Sequence, residues 1–137
     1  MEFVAIARSV RISPRKVRLV ADVVRNKEVR IALRTLAVVS KIASSPLEKT
    51  IKSALANAAY YSKEKPDAEK IDLEKLTIKS IEIFEGKSLK RFHPSTRGRV
   101  HPYKKRSSHI KIVLTDDKSQ ISNLKSQSKK GQNGTKS

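Results

Sequence analysis

The 137-residue chain contains no cysteine and no tryptophan, and only 4% of its residues are aromatic. Without cysteine it can form neither a disulfide nor a cysteine-ligated zinc ribbon, so nothing in it requires an oxidising compartment. With so few rings, a hydrophobic core must consist mainly of Ile, Leu, Val and Ala. The apolar runs are far shorter than a membrane span, and the N-terminus lacks the apolar stretch of a signal peptide. We therefore expect a soluble intracellular protein.

Acidic residues are also scarce, since 13 Asp and Glu face 31 Lys and Arg, which gives a formal net charge of +18. Such a charge destabilises the compact state by self-repulsion unless a polyanion neutralises it. Residues 86–115 contain nine Lys or Arg, no acid and all three His, so this stretch contributes +9, half of the net charge. Nucleic acid, an anionic membrane and an acidic protein are the candidate partners.

The hydrophobic pattern of the first half predicts a strand and three helices. We expect a short strand over residues 3–7, where β-favouring side chains cluster. Ser13 and Pro14 are typical of a helix start, and Asn26 of a helix end in the left-handed conformation. Apolar side chains at helical spacing predict a second helix over residues 29–38.

The third predicted helix begins at Ser45, because Ser45, Pro46 and Glu48 have the spacing of a capping box. It is expected to end at Tyr60 or Tyr61. A polar loop, residues 63–70, follows it.

The second half changes to a period of two, which predicts strands. Alternation begins at Ile71, and its parity shifts before Leu76 and again before Ile81, which indicates bulges or bends in one long strand. Residues 110–114 alternate as a return strand. The basic stretch between these strands is either a disordered loop or an extended hairpin. Residues 72–86 would span about 50 Å when extended, against a radius of gyration near 13 Å for the rest, so a continuous hairpin would protrude.

These patterns predict an α+β fold, with three helices packed on a small three-stranded antiparallel sheet and a long protruding β-hairpin. We expect one domain over residues 1–117, in which the hairpin arm covers about residues 80–109. Residues 118–137 have the composition of a basic, flexible tail.

One group of cations surrounds the predicted start of the first helix, and it consists of Arg8, Arg11, Arg15, Lys16 and Arg18. Arg15 and Lys16 fall in the first helical turn, where cations oppose the helix dipole. This unfavourable placement indicates phosphate contacts. The alternative is an exposed basic face, tolerated at a cost of a few tenths of a kcal/mol.

A second group lies in residues 90–106. Arginine binds phosphate through two parallel hydrogen bonds and also stacks on bases. Phe92 and Tyr103 are suited to stacking on unpaired bases, a common mode of RNA recognition. The alternative is a flexible, solvated loop. Membrane binding is disfavoured because no amphipathic helical pattern occurs here.

No constellation for catalysis or metal binding is recognisable. The three histidines, His93, His101 and His109, are eight residues apart among cations that would repel a metal ion. The acidic pairs Glu82/Glu85 and Asp116/Asp117 have no associated pocket pattern. Phosphate-binding loops, nucleophile elbows and a cysteine nucleophile are missing from the sequence. We therefore predict a protein that is not an enzyme and has no cofactor and no metal.

Four motifs in order resemble a known family. They are residues 11–22 (RISPRKVRLVAD), residues 53–58 (SALANA), Glu85-Gly86 with the following Lys90-Arg91 and residues 97–99 (RGR), and residues 105–110 (KRSSHI). Together they are similar to the universal large-subunit ribosomal protein numbered twenty-two in its bacterial form. The resemblance covers residues 3–114.

The resemblance implies a three-helix body on a small sheet, and a hairpin that reaches into large-subunit RNA and lines the nascent-peptide exit tunnel. It places the hairpin tip at about residues 90–99, near the site of macrolide antibiotics. It also implies an earlier start of the third helix, with Pro46 inside the first turn. Two departures stand out: Ser95-Thr96 replaces more basic tip residues, and Pro102, which has no N–H, is expected to interrupt strand pairing.

The predicted RNA-binding residues are Arg8, Arg11, Arg15, Lys16, Arg18, Asn57, Lys87, Lys90, Arg91, Arg97, Arg99, Lys104, Lys105, Arg106 and His109. The predicted tunnel-facing tip residues are Phe92, His93, Pro94, Ser95, Thr96 and Gly98. The expected partners are large-subunit ribosomal RNA, neighbouring ribosomal proteins and the nascent polypeptide, with no membrane and no small-molecule substrate. We expect a cytoplasmic, bacterial ribosome in preference to an organellar one. The alternative hypothesis is a general architectural nucleic-acid-binding protein.

Overall fold

The computed structural model describes residues 1–64, 73 and 75–116. The predicted tail and most of the predicted loop at 63–70 lie outside these residues. The elements in chain order are β1 (Glu2–Val10), α1 (Pro14–Val24), α2 (Val29–Val38), α3 (Ser44–Glu64), β2 (Thr77–Pro94), a short 3₁₀ turn (Thr96–Gly98) and β3 (Val100–Thr115). No helix in this described part is long and apolar enough to cross a membrane.

The three strands form one antiparallel sheet in the order β1-β3-β2, so the last strand lies in the centre. α3 packs mainly on β1 and β3, while α1 packs on β2 and β3. The core between the sheet and the helices is largely aliphatic, as the scarcity of aromatics predicts. Its largest fully buried side chains are Leu36, Leu47, Ile51, Leu76, Ile78, Ile110, Ile112 and Leu114. The predicted α+β fold with three helices on a three-stranded antiparallel sheet is confirmed.

The first two helices lie where the sequence predicts them. α1 starts at Pro14 after Ser13, although the Ser13 side chain makes no capping hydrogen bond. Asn26 follows the helix with a φ of 57°, the left-handed conformation expected of it. α2 has the predicted bounds.

The capping box predicted at Ser45 is wrong, because α3 already begins at Ser44. The Ser44 hydroxyl donates to the Val39 carbonyl at 2.8 Å and fastens the preceding turn to the helix start. Pro46 thus lies inside the first turn, as the family resemblance implied, and it is tolerated there because the first N–H groups of a helix have no partner within it. The helix also continues to Glu64 instead of ending at Tyr60 or Tyr61, and the Tyr61 ring packs against Phe3 with centroids 5.8 Å apart.

The strands begin and end differently from the sequence prediction. β1 extends to Val10, three residues further than predicted. β2 starts at Thr77, and Leu73 and Lys75 lie in a turn, so the strand predicted before Thr77 is wrong at these positions. Ile71 lies outside the described residues. The expected parity shift before Ile81 is confirmed as a register shift between Ile78 and Ser80.

Strands β2 and β3 pair from Thr77 opposite Thr115 to Pro94 opposite Val100, with register shifts between Ile78 and Ser80 and between Gly86 and Leu89. The pairing of β1 with β3 stops at Val10 opposite Ser108. From Gly86 and Ser107 outward, β2 and β3 therefore pair only with each other. We call residues 86–107 the arm and the other described residues the body. The arm comprises nine residues of β2 and eight of β3, which at about 3.3 Å per residue give a length of roughly 26–30 Å.

The interruption expected at Pro102 is wrong. Pro102 lies opposite Phe92, and pairing continues beyond it to the tip. In a two-stranded arm each strand has one open edge, where backbone N–H groups face solvent. A proline is accommodated at such an edge without loss of a ladder hydrogen bond.

Candidate nucleic-acid interface

The base of the arm and the β1–α1 connection enclose a groove of about 560 Å³. Its described lining consists of Ser9, Arg11, Ser13, Lys87, Leu89, Lys104, Lys105, Arg106 and Ser107. Five of these nine are cations, and none of the nine is a carboxylate. We call this the cationic groove. It joins the two cation groups of the sequence, because Arg11 from the N-terminal group faces Lys104–Arg106 from the arm.

One acidic side chain reaches the rim of this groove. Arg106 pairs with the Glu85 carboxylate at 2.5 Å, and both side chains are about half exposed. An exposed pair of this kind contributes little to stability, typically below about 1 kcal/mol. A phosphate in the groove can therefore compete for the Arg106 guanidinium at small cost.

A bulge in β1 shapes one wall of the groove. Arg8 and Ser9 together oppose His109, because the register shifts between Ala7 and Val10. Ser9 has a φ of 56°, and its N–H donates to His109 Nδ1 at 2.9 Å. A ring that accepts at Nδ1 while neutral has its proton on Nε2. His109, a predicted RNA contact, is half-buried and supports this bulge through its ring.

A second bulge, in β2, lies opposite residues 105–107 of β3, close to His109, which the β1 bulge faces. The register shifts between Gly86 and Leu89, and the Ser107 hydroxyl donates to the Lys87 carbonyl at 2.7 Å across the bulge. A Cβ at Gly86 would lie 2.6 Å from Ser107 Oγ, so glycine permits this close approach. Bulges increase local strand twist and redirect side chains. The two bulges therefore set the angle at which the arm presents Lys87 and Lys104–Arg106 to the groove.

Two predicted RNA-binding residues also make contacts within the body. The Arg18 guanidinium donates to the Ile83 carbonyl at 3.0 Å and fastens α1 to the open edge of β2. The Asn57 amide donates to the Val4 carbonyl at 2.9 Å and fastens α3 to the open edge of β1. The sequence pattern did not reveal these contacts, because they join residues 65 and 53 positions apart. Arg8, Arg15 and Lys16 are exposed, so their cationic groups are accessible to a partner.

The two faces of the arm differ in chemistry. Cross-strand pairing places Arg91, His93, His101 and Tyr103 on one face, and Phe92, Pro94, Val100 and Pro102 on the other. On the first face the His93 and Tyr103 rings stack with centroids 4.5 Å apart. On the second, Phe92 is 66% exposed. Phe92 and Tyr103 were considered together in the sequence as stacking residues, yet they lie on opposite faces.

The tip of the arm is a tight turn closed by backbone hydrogen bonds. The Ser95 N–H donates to the Arg99 carbonyl at 2.8 Å, and the Arg99 N–H donates to the Thr96 carbonyl at 3.3 Å. Arg97 and Gly98 have φ values of 56° and 69°, so two successive left-handed residues reverse the chain. The exposed tip side chains Thr96, Arg97 and Arg99 therefore project from a defined turn.

The chemistry of these surfaces is that of binding. Within residues 1–64, 73 and 75–116, no group of three His, Cys, Asp or Glu side chains is placed to hold a metal ion. The cationic groove instead offers guanidinium, ammonium and hydroxyl donors to an anionic polymer.

Comparison with known proteins gives a consistent result. Residues 5–115 match the family model described as ribosomal protein L22p/L17e. Large ribosomal subunit protein uL22 of Macrococcus caseolyticus is 42% identical over 127 residues, which cover 93% of this chain and 97% of the relative. The uL22 proteins of Mycoplasma capricolum and Mesoplasma florum are 43% and 42% identical over 118 residues, which cover 86% of this chain and at least 99% of each relative.

Proposed function

Because the chain belongs to the ribosomal protein L22p/L17e family, we propose that its cationic groove and arm bind large-subunit ribosomal RNA. The chain is a structural constituent of the large ribosomal subunit. The finer proposal concerns which surface contacts the RNA. In it, the groove holds the RNA backbone, the arm extends along the RNA, and binding supports subunit assembly.

The cationic groove is the observation that carries this proposal. Five cations from two distant chain segments converge there. Their mutual repulsion destabilises the isolated protein, and no carboxylate among the nine described lining residues compensates for it. Neutralising phosphates removes the repulsion and releases counterions from the RNA. The serine hydroxyls of the lining add donors suited to phosphate oxygens.

The arm supports the second part of the proposal, that it lines the nascent-peptide exit tunnel. Beyond the groove, residues 90–103 are exposed except for the half-buried Ser95 and Tyr103. A two-stranded ribbon of this kind is marginal in water, so RNA contacts are needed to hold it. The tip residues 92–96 and 98 would then face the tunnel and the nascent polypeptide, and macrolides would bind nearby by family resemblance.

The cellular setting follows from the same proposal. The relatives named above are bacterial large-subunit proteins. We propose that this chain acts in the cytoplasm, within a bacterial ribosome, beside other large-subunit proteins.

Charge removal in the groove tests the RNA-binding proposal. Lys104→Ala combined with Lys105→Ala should lower the affinity for a large-subunit RNA fragment and reduce the slope of log affinity against log salt by roughly 1.4 to 1.8. The matched control is Lys49→Ala with Lys63→Ala, which removes two exposed lysines from α3. Equal losses in both variants would contradict a specific role of the groove and leave only general charge attraction.

The tunnel proposal has its own test. Arg91→Ala with Arg99→Ala should weaken subunit assembly or change macrolide sensitivity, because both side chains lie near the tip. Circular dichroism should show a folded body, since neither residue contributes to the core. A normal ribosome profile together with normal drug sensitivity would count against the tunnel placement.

A further inference from the structure

A second groove, of about 710 Å³, lies between α1 and the α2–α3 connection. Its described lining consists of Arg11, Ile12, Ser13, Lys16, Leu19, Val20, Val23, Val39, Ser40, Lys41, Ile42 and Ala43. Seven of these twelve are aliphatic. We call it the aliphatic groove. It is continuous with the cationic groove through Arg11 and Ser13, but its floor and walls are apolar.

One wall is an apolar stripe of α1 that the body does not use. The inner face of this helix buries Val17, Ala21 and Val24. Leu19 and Val23, one helical turn apart, instead face the groove and are 72% and 43% exposed. Single exposed aliphatic residues are common, but several that line one concave surface indicate an interaction site.

The opposite wall is a turn that is already held in place. The Lys41 N–H donates to the Val39 carbonyl at 2.8 Å, and the Ser44 N–H donates to the Lys41 carbonyl at 2.9 Å. The Ser44 hydroxyl donates to Val39 as well. These bonds fix the turn with the Ile42 side chain 86% exposed. A preformed wall reduces the entropy lost on binding, which favours a docking surface.

The lining chemistry identifies the occupant. Single-stranded nucleic acid is usually held on aromatic side chains that stack with bases, and the described lining contains none. Aliphatic walls instead match aliphatic side chains of a protein. The rim has three cations, Arg11, Lys16 and Lys41, and the twelve lining residues include no carboxylate. Arg11 and Lys16 lie at the end of α1 that we assign to RNA, whereas Lys41 is adjacent to Ile42 on the opposite wall. Charge complementarity at Lys41 therefore favours an acidic group next to the apolar ones.

We propose that the aliphatic groove docks an apolar segment, flanked by acidic side chains, of a neighbouring protein in the large subunit. This inference rests on membership in the ribosomal family and not on the RNA path or the tunnel placement. In this proposal α1 has two partners. Its first turn, with Arg15 and Lys16, lies near RNA, and its exposed stripe of Leu19 and Val23 contacts protein.

Photo-crosslinking in assembled subunits tests the docking. The full chain with benzoyl-phenylalanine at position 42 replaces the natural copy, and salt-washed large subunits are irradiated. We expect a protease-sensitive, nuclease-resistant adduct with one protein, in which the crosslinked peptide contains Ile, Leu or Val beside Asp or Glu. An adduct with RNA only, a peptide without acidic residues, or no adduct would overturn the proposal. Failure to sediment with large subunits would instead contradict the assignment to the subunit.

A paired variant measures the contribution of the groove itself. Leu19→Ser with Ile42→Ser should lower the occupancy of the crosslinked protein, with affinity for it reduced about tenfold or more. The control, Ile6→Ser with Ile31→Ser, removes two aliphatic residues that lie outside the lining and are about half exposed. RNA-fragment affinity should be equal in both variants. Unchanged occupancy in the Leu19/Ile42 variant, or an equal loss in the control, would overturn the docking site.

Discussion

Body and arm share the same two strands but have opposite composition. The body half of β3, Ile110 to Thr115, is buried except at Lys111, whereas the arm half, Val100 to Arg106, is exposed apart from a half-buried Tyr103. Aliphatic packing stabilises the first, whereas cross-strand pairing, one ring stack and the exposed Arg106–Glu85 pair hold the second. The comparison teaches that the half of each strand that stabilises the fold is separate from the half that we propose binds RNA. Substitutions in the two halves should therefore have effects on different measurements.

The largest expected difference compares Ile112→Ala with Phe92→Ala. Ile112 is fully buried at the centre of the sheet, so its truncation should lower the free energy of unfolding by about 2–5 kcal/mol. Phe92 is 66% exposed, so its truncation should change that free energy by less than about 0.5 kcal/mol. Urea denaturation of the isolated protein measures both. A comparable loss in the two variants would mean that the arm belongs to the cooperative core, which would break the distinction between body and arm.

The junction between the two regions should be sensitive at Gly86. In Gly86→Ala the new Cβ would meet Ser107 Oγ at 2.6 Å, so the Ser107 side chain must rotate and lose its hydrogen bond to Lys87. We expect a loss of about 1–3 kcal/mol in the free energy of unfolding.

The double variant Gly86→Ala with Ser107→Ala provides the control, because it removes the hydroxyl that the Cβ would meet. Its loss in the free energy of unfolding should be smaller than the sum of the losses in the two single variants. A double-mutant cycle measures this difference. Additive effects would show that Gly86 is required for a reason other than its contact with Ser107.

The body was more predictable from sequence than the interface, for physical reasons. α2 and the start of α1 follow from local signals, namely apolar spacing and Ser13-Pro14. The start of α3 did not, because Ser44 is fixed by a contact with Val39 that no capping pattern encodes. Local periodicity indicated the strands.

The grooves could not be predicted in the same way. Register across the hairpin decides that Phe92 and Tyr103 face apart, and it depends on the bulge after Gly86 and on the length of the tip turn. Proximity of Arg11 to Lys104–Arg106 likewise depends on the bulge at Ser9. The types of residue in the candidate site were therefore evident from composition, but their arrangement required the tertiary structure.

A smaller difference in the free energy of unfolding is expected between a polar residue that holds the body together and an exposed cation. Asn57→Ala removes the hydrogen bond to Val4 and should lower the free energy of unfolding by about 0.5–1.5 kcal/mol. Arg15→Ala removes an exposed cation from the first turn of α1, where it opposes the helix dipole, so stability should be unchanged or slightly higher. RNA affinity should respond in the opposite order, and a filter-binding salt titration measures it. A salt slope that falls for Asn57→Ala and not for Arg15→Ala would reverse our assignment of the two residues.

The smallest expected effect is a pH dependence at the end of the body farthest from the arm. The hydrogen bond and the positive charge of Lys79 hold the pKa of Glu2 below its ordinary value of 4.5, and the pair joins β1 to β2. Because the folded-state pKa is lowered, the pair stabilises the fold above the unfolded-state pKa, and this stabilisation is lost as pH falls through the folded-state pKa. Glu2→Gln should therefore be slightly less stable than the parent near neutral pH and equal to it at about pH 2.

Both side chains are exposed, so added salt should reduce the difference at neutral pH. A difference that grows on acidification would contradict the direction of the Glu2 pKa shift, whereas one unaffected by salt would indicate that packing, and not charge, holds this end of the sheet.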